Sequence, residues 1–242
     1  RKLFGTDGIR GIANRYPMTA DIALRVGRAT AQYFKGRSSR SDNKSIVLIG
    51  KDTRRSSYMI EQALAAGVTS QGASALLVGP MPTPGVAFLT HDMRADAGIV
   101  VSASHNSYEY NGIKIFGHDG YKLPDAIEKE SEDLILSEDF EDRLPVGEKL
   151  GSAKRIDDAM GRYVVHAKSC FPNEFNLKGV RIVLDPANGD AYKIAPWIFD
   201  ELDAEVHVIC AIPNGLNINA ESVTLFTDTA RDEILSVGAH IG

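Results

Sequence analysis

The sequence lacks the features that mark membrane proteins, secreted proteins and nucleic-acid-binding proteins. No apolar run approaches the roughly 20 residues that span a bilayer. Arg1-Lys2-Leu3 leads into glycines and charges rather than into the apolar core of a signal peptide. The net charge is −5, and the lysines and arginines are scattered, which argues against nucleic acid or an anionic membrane as the main partner. We therefore expect a cytoplasmic protein that binds neither nucleic acid nor membrane.

Cysteine and histidine are too sparse for a disulfide framework or a zinc centre. The two cysteines, Cys170 and Cys210, form no Cys-x-x-Cys pair and have no histidine at ligand spacing. The six histidines are dispersed along the chain. We expect both cysteines to be reduced and structural, and the pattern argues against a zinc site of the His/Cys type.

The first half of the chain alternates between strand and helix patterns. Its 242 residues, 43% of them hydrophobic, suffice for one large domain or two ordinary ones. Apolar runs at 45–49, 75–78 and 97–101 predict strands, and the periodicity between them predicts helices that begin near residues 19, 59 and 84. Such alternation predicts a sheet with parallel strands and right-handed crossovers.

A charged segment with proline and glycine, 137–151, predicts a domain boundary after an acidic helix at 124–136. We therefore expect domains at 1–151 and 152–242. The polar, basic stretch 35–44 predicts an exposed loop. In the second domain we expect a strand at 180–184, a helix through Leu202 that Pro196 kinks, and another strand at 205–209. Helices at about 157–171 and at 228–237 and the beginning of a strand at 239–242 complete the predicted elements.

A polar loop of small residues between two strand patterns carries the densest chemistry. It joins the run 97–101 to the alternating run 112–116. The loop carries the side chains of Ser102, Ser104, His105 and Asn106. Lys114 follows ten residues after Ser104. This set suits phosphoryl transfer, in which a protein mainly positions groups and stabilises charge. The alternative is an ordinary turn whose hydroxyls bond their own backbone. A Ser-His hydrolase is disfavoured, because serine and histidine are neighbours and no Gly-x-Ser-x-Gly elbow is present.

Two further motifs have both a functional and a structural interpretation. Gly5-Thr-Asp-Gly-Ile-Arg-Gly11 is a loop whose backbone can approach a ligand closely, or a tight turn. Gly50-Lys-Asp-Thr-Arg-Arg55 places charges just beyond a strand, where open α/β sheets bind ligands. The alternative there is a solvated turn that caps the next helix through Ser56 or Ser57.

Five motifs, in this order and spacing, together resemble the α-D-phosphohexomutase superfamily. They are Phe4-Gly-Thr-Asp-Gly-Ile-Arg-Gly11, Gly50-Lys-Asp-Thr-Arg-Arg55, Ser102-Ala-Ser-His-Asn106, Asn111-Gly-Ile-Lys114 and Asp185-Pro-Ala-Asn-Gly189. The resemblance runs through essentially the whole chain. It implies an α/β fold of two successive three-layer α/β/α domains with mixed, largely parallel sheets. The first carries the phosphoserine loop, and the second is incomplete at its C-terminal end.

The resemblance also implies a role for four residues. Ser104, rather than Ser102, would carry a phosphoryl group. Arg10 would help to bind phosphate, since a planar guanidinium suits bidentate phosphate contact. Lys114 would act as general base or acid. His105 would orient the phosphate or bond the substrate, with a plain loop histidine as the alternative.

The implied reaction interconverts glucosamine 6-phosphate and glucosamine 1-phosphate through a bisphosphorylated sugar. Its implied cofactor is Mg²⁺, which Ser104 would bind through its phosphate, with the remaining ligands expected beyond Gly242. The implied substrate is a hexosamine phosphate, and the resemblance allows a homodimer. Mannose or glucose phosphates are the alternative substrates. A fragment that binds a phosphosugar or a partner without catalysis is the alternative from another class.

The sequence departs from the family pattern at two places. Ser107 stands where the family usually has proline, which predicts a less rigid loop. Ala220-Glu-Ser-Val-Thr-Leu-Phe226 replaces a Cys-Gly-Ser-Thr-like run. The family's metal loop, Asp-Gly-Asp-Gly-Asp-Arg, is expected just after Gly242, so the resemblance covers about the first half of the full enzyme.

Overall fold

A computed structural model describes residues 2–36, 44–137, 144–220 and 227–242. Most of the predicted loop at 35–44, part of the segment 137–151 and nearly all of the departure at 220–226 lie outside these residues. The chain forms two compact units. Unit 1 comprises Arg1–Asp52, Ser56–Ala103 and Glu109–Asp157, and unit 2 comprises Thr53–Arg55, Ser104–Tyr108 and Asp158–Gly242.

Where the structure describes unit 1, it has one sheet of six strands. These are β1 (Ile9–Ile12), β2 (Ile46–Lys51), β3 (Ser74–Pro80), β4 (Ala97–Val101), β5 (Tyr110–Gly117) and β6 (Ala153–Arg155). Their order in the sheet is β1-β5-β4-β2-β3-β6. The pairs β2–β3, β2–β4 and β3–β6 are parallel, whereas β5 is antiparallel to both β1 and β4. The prediction of a mixed, largely parallel sheet is confirmed.

Helices cover both faces of this sheet. They are α1 (Ala20–Phe34), α2 (Arg55–Ser70), α3 (Thr83–Asp92) and α4 (Asp125–Leu136). Val47 and Ile49 of β2 belong to the core that α1, α2 and α4 share. The next residue, Gly50, points to the other face, where an added Cβ would lie 2.4 Å from Val86 of α3. Unit 1 is therefore a three-layer α/β/α unit.

Two glycines allow α1 and α2 to pack backbone against backbone. A Cβ at Gly27 of α1 would lie 2.3 Å from the carbonyl oxygen of Leu64. A Cβ at Gly67 of α2 would lie 2.1 Å from the carbonyl oxygen of Leu24. Because no real Cβ approaches an oxygen so closely, any larger residue at either position would force the helices apart.

Unit 2 has a parallel strand pair, β7 (Arg181–Leu184) and β8 (Glu205–Val208), with helices α5 (Ala159–Ser169), α6 (Ile194–Asp200) and α7 (Asp228–Val237). Ile241 forms a parallel bridge with Ile182, as the pattern at 239–242 predicts. Helix α6 begins at Ile194. Pro196 therefore lies in its first turn, where a missing N–H costs little, and not in the interior that the predicted kink requires.

The contacts place two segments differently from the sequence-based domain limits. β6 follows Gly151 but pairs with β3 of unit 1. Residues 104–108 of the serine loop, which the sequence assigns to the first domain, group with unit 2. Both differences arise from contacts between residues far apart in the chain, which local composition does not record.

Two findings concern membrane-spanning helices and disulfides. None of the helices in the described part of the chain is long and apolar enough to cross a bilayer. Neither Cys170, which is exposed, nor Cys210, which is partly buried, forms a disulfide.

Candidate active site

The two serines of the loop have opposite environments. Ser102 follows the end of β4, and its N–H donates to the carbonyl oxygen of Gly112 at 3.0 Å. Ser102 is only 5% exposed, and Ala103 is fully buried. Ser104 is exposed. Of these two serines, Ser104 is therefore the one that is accessible from solvent.

Ser104 has a strained backbone and a histidine beside it. Its φ of +53° lies in the left-handed region, which costs a residue with a side chain about 1–2 kcal/mol. Its Oγ lies 3.5 Å from Nδ1 of the exposed His105. A strained conformation persists only where neighbouring groups hold it. In this loop the backbone carbonyls are the groups that are held.

Arg54, which is fully buried, holds three of these carbonyls. Its Nη2 donates to the carbonyl oxygens of Ser104 at 3.2 Å and Asn106 at 2.5 Å. Its Nε donates to that of Ser107 at 3.4 Å. A guanidinium suits this role because its donors form a rigid planar fork.

Asn219 donates to two of the same carbonyls. Its Nδ2 lies 2.8 Å from the oxygen of Ser104 and 2.9 Å from that of Asn106. The backbone N–H of Asn219 in turn donates to the carbonyl oxygen of Ala187 at 2.9 Å. The motif Asp185–Gly189 therefore supports the serine loop through Asn219.

Lys51 and Asp52 of the segment Gly50–Arg55 have structural roles. Lys51 and Glu61 are each 1% exposed, and their Nζ and Oε2 lie 2.7 Å apart. Asp52 accepts a hydrogen bond from Oγ of Ser57 at 2.7 Å. The interpretation of this segment as a solvated turn is wrong, because the side chains from Lys51 to Arg54 are buried.

The amino-terminal motif brings two of the predicted site residues onto one carboxylate. Oδ2 of Asp7 lies 2.9 Å from Nη2 of Arg10 and 2.7 Å from Nζ of Lys114. Gly8 has a φ of +86°, and a Cβ there would lie 2.3 Å from the carbonyl oxygen of Ile113. This glycine thus lets the motif lie directly against β5. Asp7 has no predicted role, although it lies inside one of the five motifs.

Lys114 lines a cavity of about 110 Å³ in unit 1. Its side chain is 17% exposed. Lys122 and Glu128 also line the cavity, and Lys122 Nζ donates to the carbonyl oxygen of Thr6 at 2.9 Å. Lys114 is therefore not a freely solvated surface lysine, because its ammonium has a fixed carboxylate partner.

Glu132 of α4 anchors the segment that leads into the amino-terminal motif. Its Oε1 accepts the backbone N–H of Lys2 at 2.8 Å, and its Oε2 accepts those of Leu3 at 2.7 Å and Phe4 at 3.0 Å. Burial raises the pKa of the Glu132 carboxyl, but the N–H groups of Phe4, Lys2 and Leu3 outweigh it, so that its pKa is lowered. The ionised form of Glu132 therefore holds the start of the motif.

Comparison with known proteins assigns the chain to a family. A family model described as phosphoglucomutase/phosphomannomutase, alpha/beta/alpha domain I, matches residues 1–142. The chain belongs to this phosphohexomutase family. Among its relatives are the phosphoglucosamine mutases of Syntrophotalea carbinolica, 53% identical over 242 residues, and Syntrophus aciditrophicus, 54% identical over 241 residues. All of this chain aligns with 52% of the first relative and 53% of the second.

Solved structures agree on the phosphohexomutase fold. A phosphoglucomutase/phosphomannomutase family protein from Burkholderia thailandensis matches 98% of this chain with 50% of its own, at a TM-score of 0.76 and 24% identity. A protein described as a phosphomannomutase from Thermus thermophilus matches 97% of this chain with 51% of its own, at a TM-score of 0.76 and 23% identity. The chain thus spans about half the length of the relatives it matches.

The four predicted site residues belong to two different units. The structure brings Arg10 and Lys114 together on Asp7 within unit 1, and Ser104 and His105 together within unit 2. The described residues contain no group of three or more His, Cys, Asp or Glu side chains that could hold a metal ion. The described residues therefore do not form a complete Mg²⁺ site by themselves. A phosphate on Ser104 would supply one of the ligands.

Proposed function

We propose that this chain is the part of a phosphoglucosamine mutase that carries its phosphoserine. That enzyme would interconvert glucosamine 6-phosphate and glucosamine 1-phosphate. The observation that carries the proposal is the exposed Ser104 in a left-handed conformation, on a loop whose carbonyls are held by two side chains. The substrate is inferred from relatives at 53–54% identity that are named phosphoglucosamine mutases.

The proposed reaction is a phosphoryl relay through Ser104. The O–P bond to Ser104 Oγ breaks as phosphorus bonds a hydroxyl oxygen of the hexosamine phosphate, and that hydroxyl loses its proton. The other phosphate of the resulting bisphosphate then returns to Ser104 Oγ, and its former sugar oxygen takes up a proton. A covalent relay of this kind divides one difficult exchange into two in-line transfers.

We assign the accompanying roles as follows. Lys114 takes up and returns the proton, with Asp7 fixing the position of its ammonium. Arg10 binds a phosphate through its guanidinium, and His105, next to the Ser104 hydroxyl, orients the phosphoryl group. For Lys114 and Arg10 the assignment rests on family resemblance together with their shared contact to Asp7.

We also propose that the enzyme uses Mg²⁺, which would neutralise charge on the phosphoryl group. The phosphate on Ser104 would supply one oxygen ligand, and the remaining ligands would lie beyond Gly242. Domain limits at 1–151 and 152–242, a cytoplasmic location and a homodimer remain proposals that accompany this function.

The substrate assignment is tested with the full-length enzyme that contains this chain. Phosphorus NMR would follow the conversion of glucosamine, mannose and glucose 6-phosphates, each with a trace of its own bisphosphate and Mg²⁺. We expect kcat/KM for glucosamine 6-phosphate to exceed the others by about 100-fold. A preference for mannose or glucose phosphate would favour the alternative substrates. Binding of all three sugar phosphates without turnover of any would favour a phosphosugar-binding protein.

A further inference from the structure

We infer that Arg54 and Asn219 are positioning residues for the phosphoryl transfer at Ser104. Both act through the backbone of the serine loop and neither needs to touch the substrate. The inference rests on the proposed function and adds to it two residues to which the resemblance assigned no role.

The first observation is that two donors share the same two acceptors. The carbonyl oxygens of Ser104 and Asn106 each accept one hydrogen bond from Nη2 of Arg54 and one from Nδ2 of Asn219. A carbonyl oxygen has two lone pairs, so each can accept both bonds. With both carbonyls fixed, the peptide planes that follow Ser104 and Asn106 are fixed too. The first of these planes helps to set the direction of the Ser104 side chain.

The second observation is that Arg54 is itself fixed on both sides. The preceding residue, Thr53, donates its hydroxyl to the carbonyl oxygen of Asn188 at 2.5 Å. The following residue, Arg55, donates its backbone N–H to the carbonyl oxygen of Gly215 at 3.0 Å. Arg54 is also fully buried, and its guanidinium contacts the serine loop through Nη2 and Nε.

The third observation is that Asn219 has the backbone and the anchorage of a fixed donor. Its φ of +60° is one that asparagine tolerates better than most residues. Its N–H bond to Ala187 ties it to the segment that includes Asn188. The backbone carbonyl oxygen of Asn188 in turn accepts a hydrogen bond from Thr53, the residue before Arg54. The segments that carry the two donors are therefore both anchored to Ala187 and Asn188.

This arrangement compensates for the strain at Ser104. A serine alone would rarely adopt a φ of +53°. Transfer from the bisphosphate to Ser104 requires Oγ in line with the sugar O–P bond that breaks, and misplacement by about 1 Å can cost about 100-fold in rate. The two donors therefore contribute to the rate of transfer rather than to the binding of the sugar.

The test uses the full-length enzyme with Arg54→Lys and Asn219→Asp. Lysine keeps the charge of Arg54 but loses the planar fork. Aspartate keeps the tolerance for a positive φ but replaces the donor with an acceptor that faces two carbonyls. The matched controls are Arg162→Lys, an exposed arginine of α5, and Asn214→Asp, whose Oδ1 accepts the N–H groups of Leu216 and Asn217 and is kept in the variant.

The measurements are steady-state kcat and KM, their pH profile, and the single-turnover rate of Ser104 phosphorylation by glucosamine 1,6-bisphosphate. We expect Arg54→Lys to lower kcat and the single-turnover rate by about 100-fold, and Asn219→Asp by about 10-fold, with KM nearly unchanged. The pH profile should keep its shape, since neither residue exchanges a proton, and both controls should match the wild type.

The outcomes separate this inference from the proposed function. A wild type that neither turns over nor carries phosphate on Ser104 would refute the proposed function and the inference with it. An active wild type with variants that retain its kcat, or that raise only KM, would refute the inference alone. If Arg54→Lys does not fold by circular dichroism, Asn219→Asp decides, because Asn219 is only partly buried.

Discussion

The structure gives Lys114 contacts that its position in the sequence does not reveal. In the sequence it is one lysine on an alternating strand. In the structure its Nζ and the guanidinium of Arg10 meet at one oxygen of Asp7. This contact gives the Lys114 ammonium a defined position, which the proposed proton transfer requires.

Replacing Lys114 with methionine tests this role in the full-length enzyme. Methionine keeps an unbranched chain of similar length but cannot exchange a proton. We expect kcat to fall by about 100- to 10,000-fold with little change in KM, because an acid or base acts mainly in the transition state. Lys129→Met, on the exposed side of α4, is the control. A wild-type kcat in Lys114→Met would exclude proton transfer by this residue.

Residues whose side chains position the backbone of a distant loop were the hardest to predict. The sequence singled out Ser104, His105, Arg10 and Lys114 through their motifs. Arg54 lay inside a recognised motif, but its partners are about fifty positions away, and no local pattern shows that it is buried. Asn219 lies still further from the loop that it contacts. Such roles depend on the fold, and sequence spacing does not encode them.

At the scale of elements, the sequence predicted those strands and helices that have a clear hydrophobic periodicity. The predicted strand at 97–101 and helix at 228–237 have the bounds of β4 and α7, and the strand predicted at 180–184 begins one residue later, as β7. Two strands were missed. β1 lies inside the glycine-rich motif, and the three residues of β6 are all exposed. Neither has an apolar pattern, so only the neighbouring strand reveals them.

The contact between α4 and the amino-terminal segment gives a prediction about pH. The pKa of Glu132 is lowered in the folded protein, because three backbone N–H bonds outweigh burial. Its contribution to stability is therefore complete above the ordinary glutamate pKa and is lost as the pH falls through the lowered folded value. We expect Glu132→Gln to reduce stability by about 1–3 kcal/mol near neutrality and to remove this part of the acid dependence.

Urea unfolding between pH 7 and pH 3, with hydrogen exchange of the Leu3 and Phe4 amides, measures the effect. The control is Glu130→Gln, an exposed glutamate of the same helix. If Glu132→Gln keeps both the wild-type midpoint at neutral pH and the protection of these amides, Glu132 does not anchor the segment.

At the scale of the whole molecule, the chain covers only about half the length of each of its relatives. The proposed function places most of the Mg²⁺ ligands beyond Gly242. Metal-assisted charge stabilisation is typically worth several kcal/mol, with about 1.4 kcal/mol for each factor of ten in rate. Residues 1–242 alone should therefore convert glucosamine 6-phosphate at less than about one-hundredth of the full-length rate.

The comparison uses both chains at equal concentration with Mg²⁺ and bisphosphate, after intact mass has confirmed their lengths. Robust Mg²⁺-dependent activity of residues 1–242 would contradict the prediction. It would mean that other residues, such as Asp185 and Asp190, hold the metal.

The central claim is that Ser104 carries the phosphoryl group, and fragmentation mass spectrometry of one peptide tests it most directly. Trypsin should release residues 95–114, which contain Ser102, Ser104 and Ser107. In the full-length enzyme treated with glucosamine 1,6-bisphosphate, we predict phosphate on Ser104 and none on the buried Ser102. Ser104→Ala should carry none and should not turn over. Phosphate on Ser102 or Ser107, or full turnover by Ser104→Ala, would contradict the account.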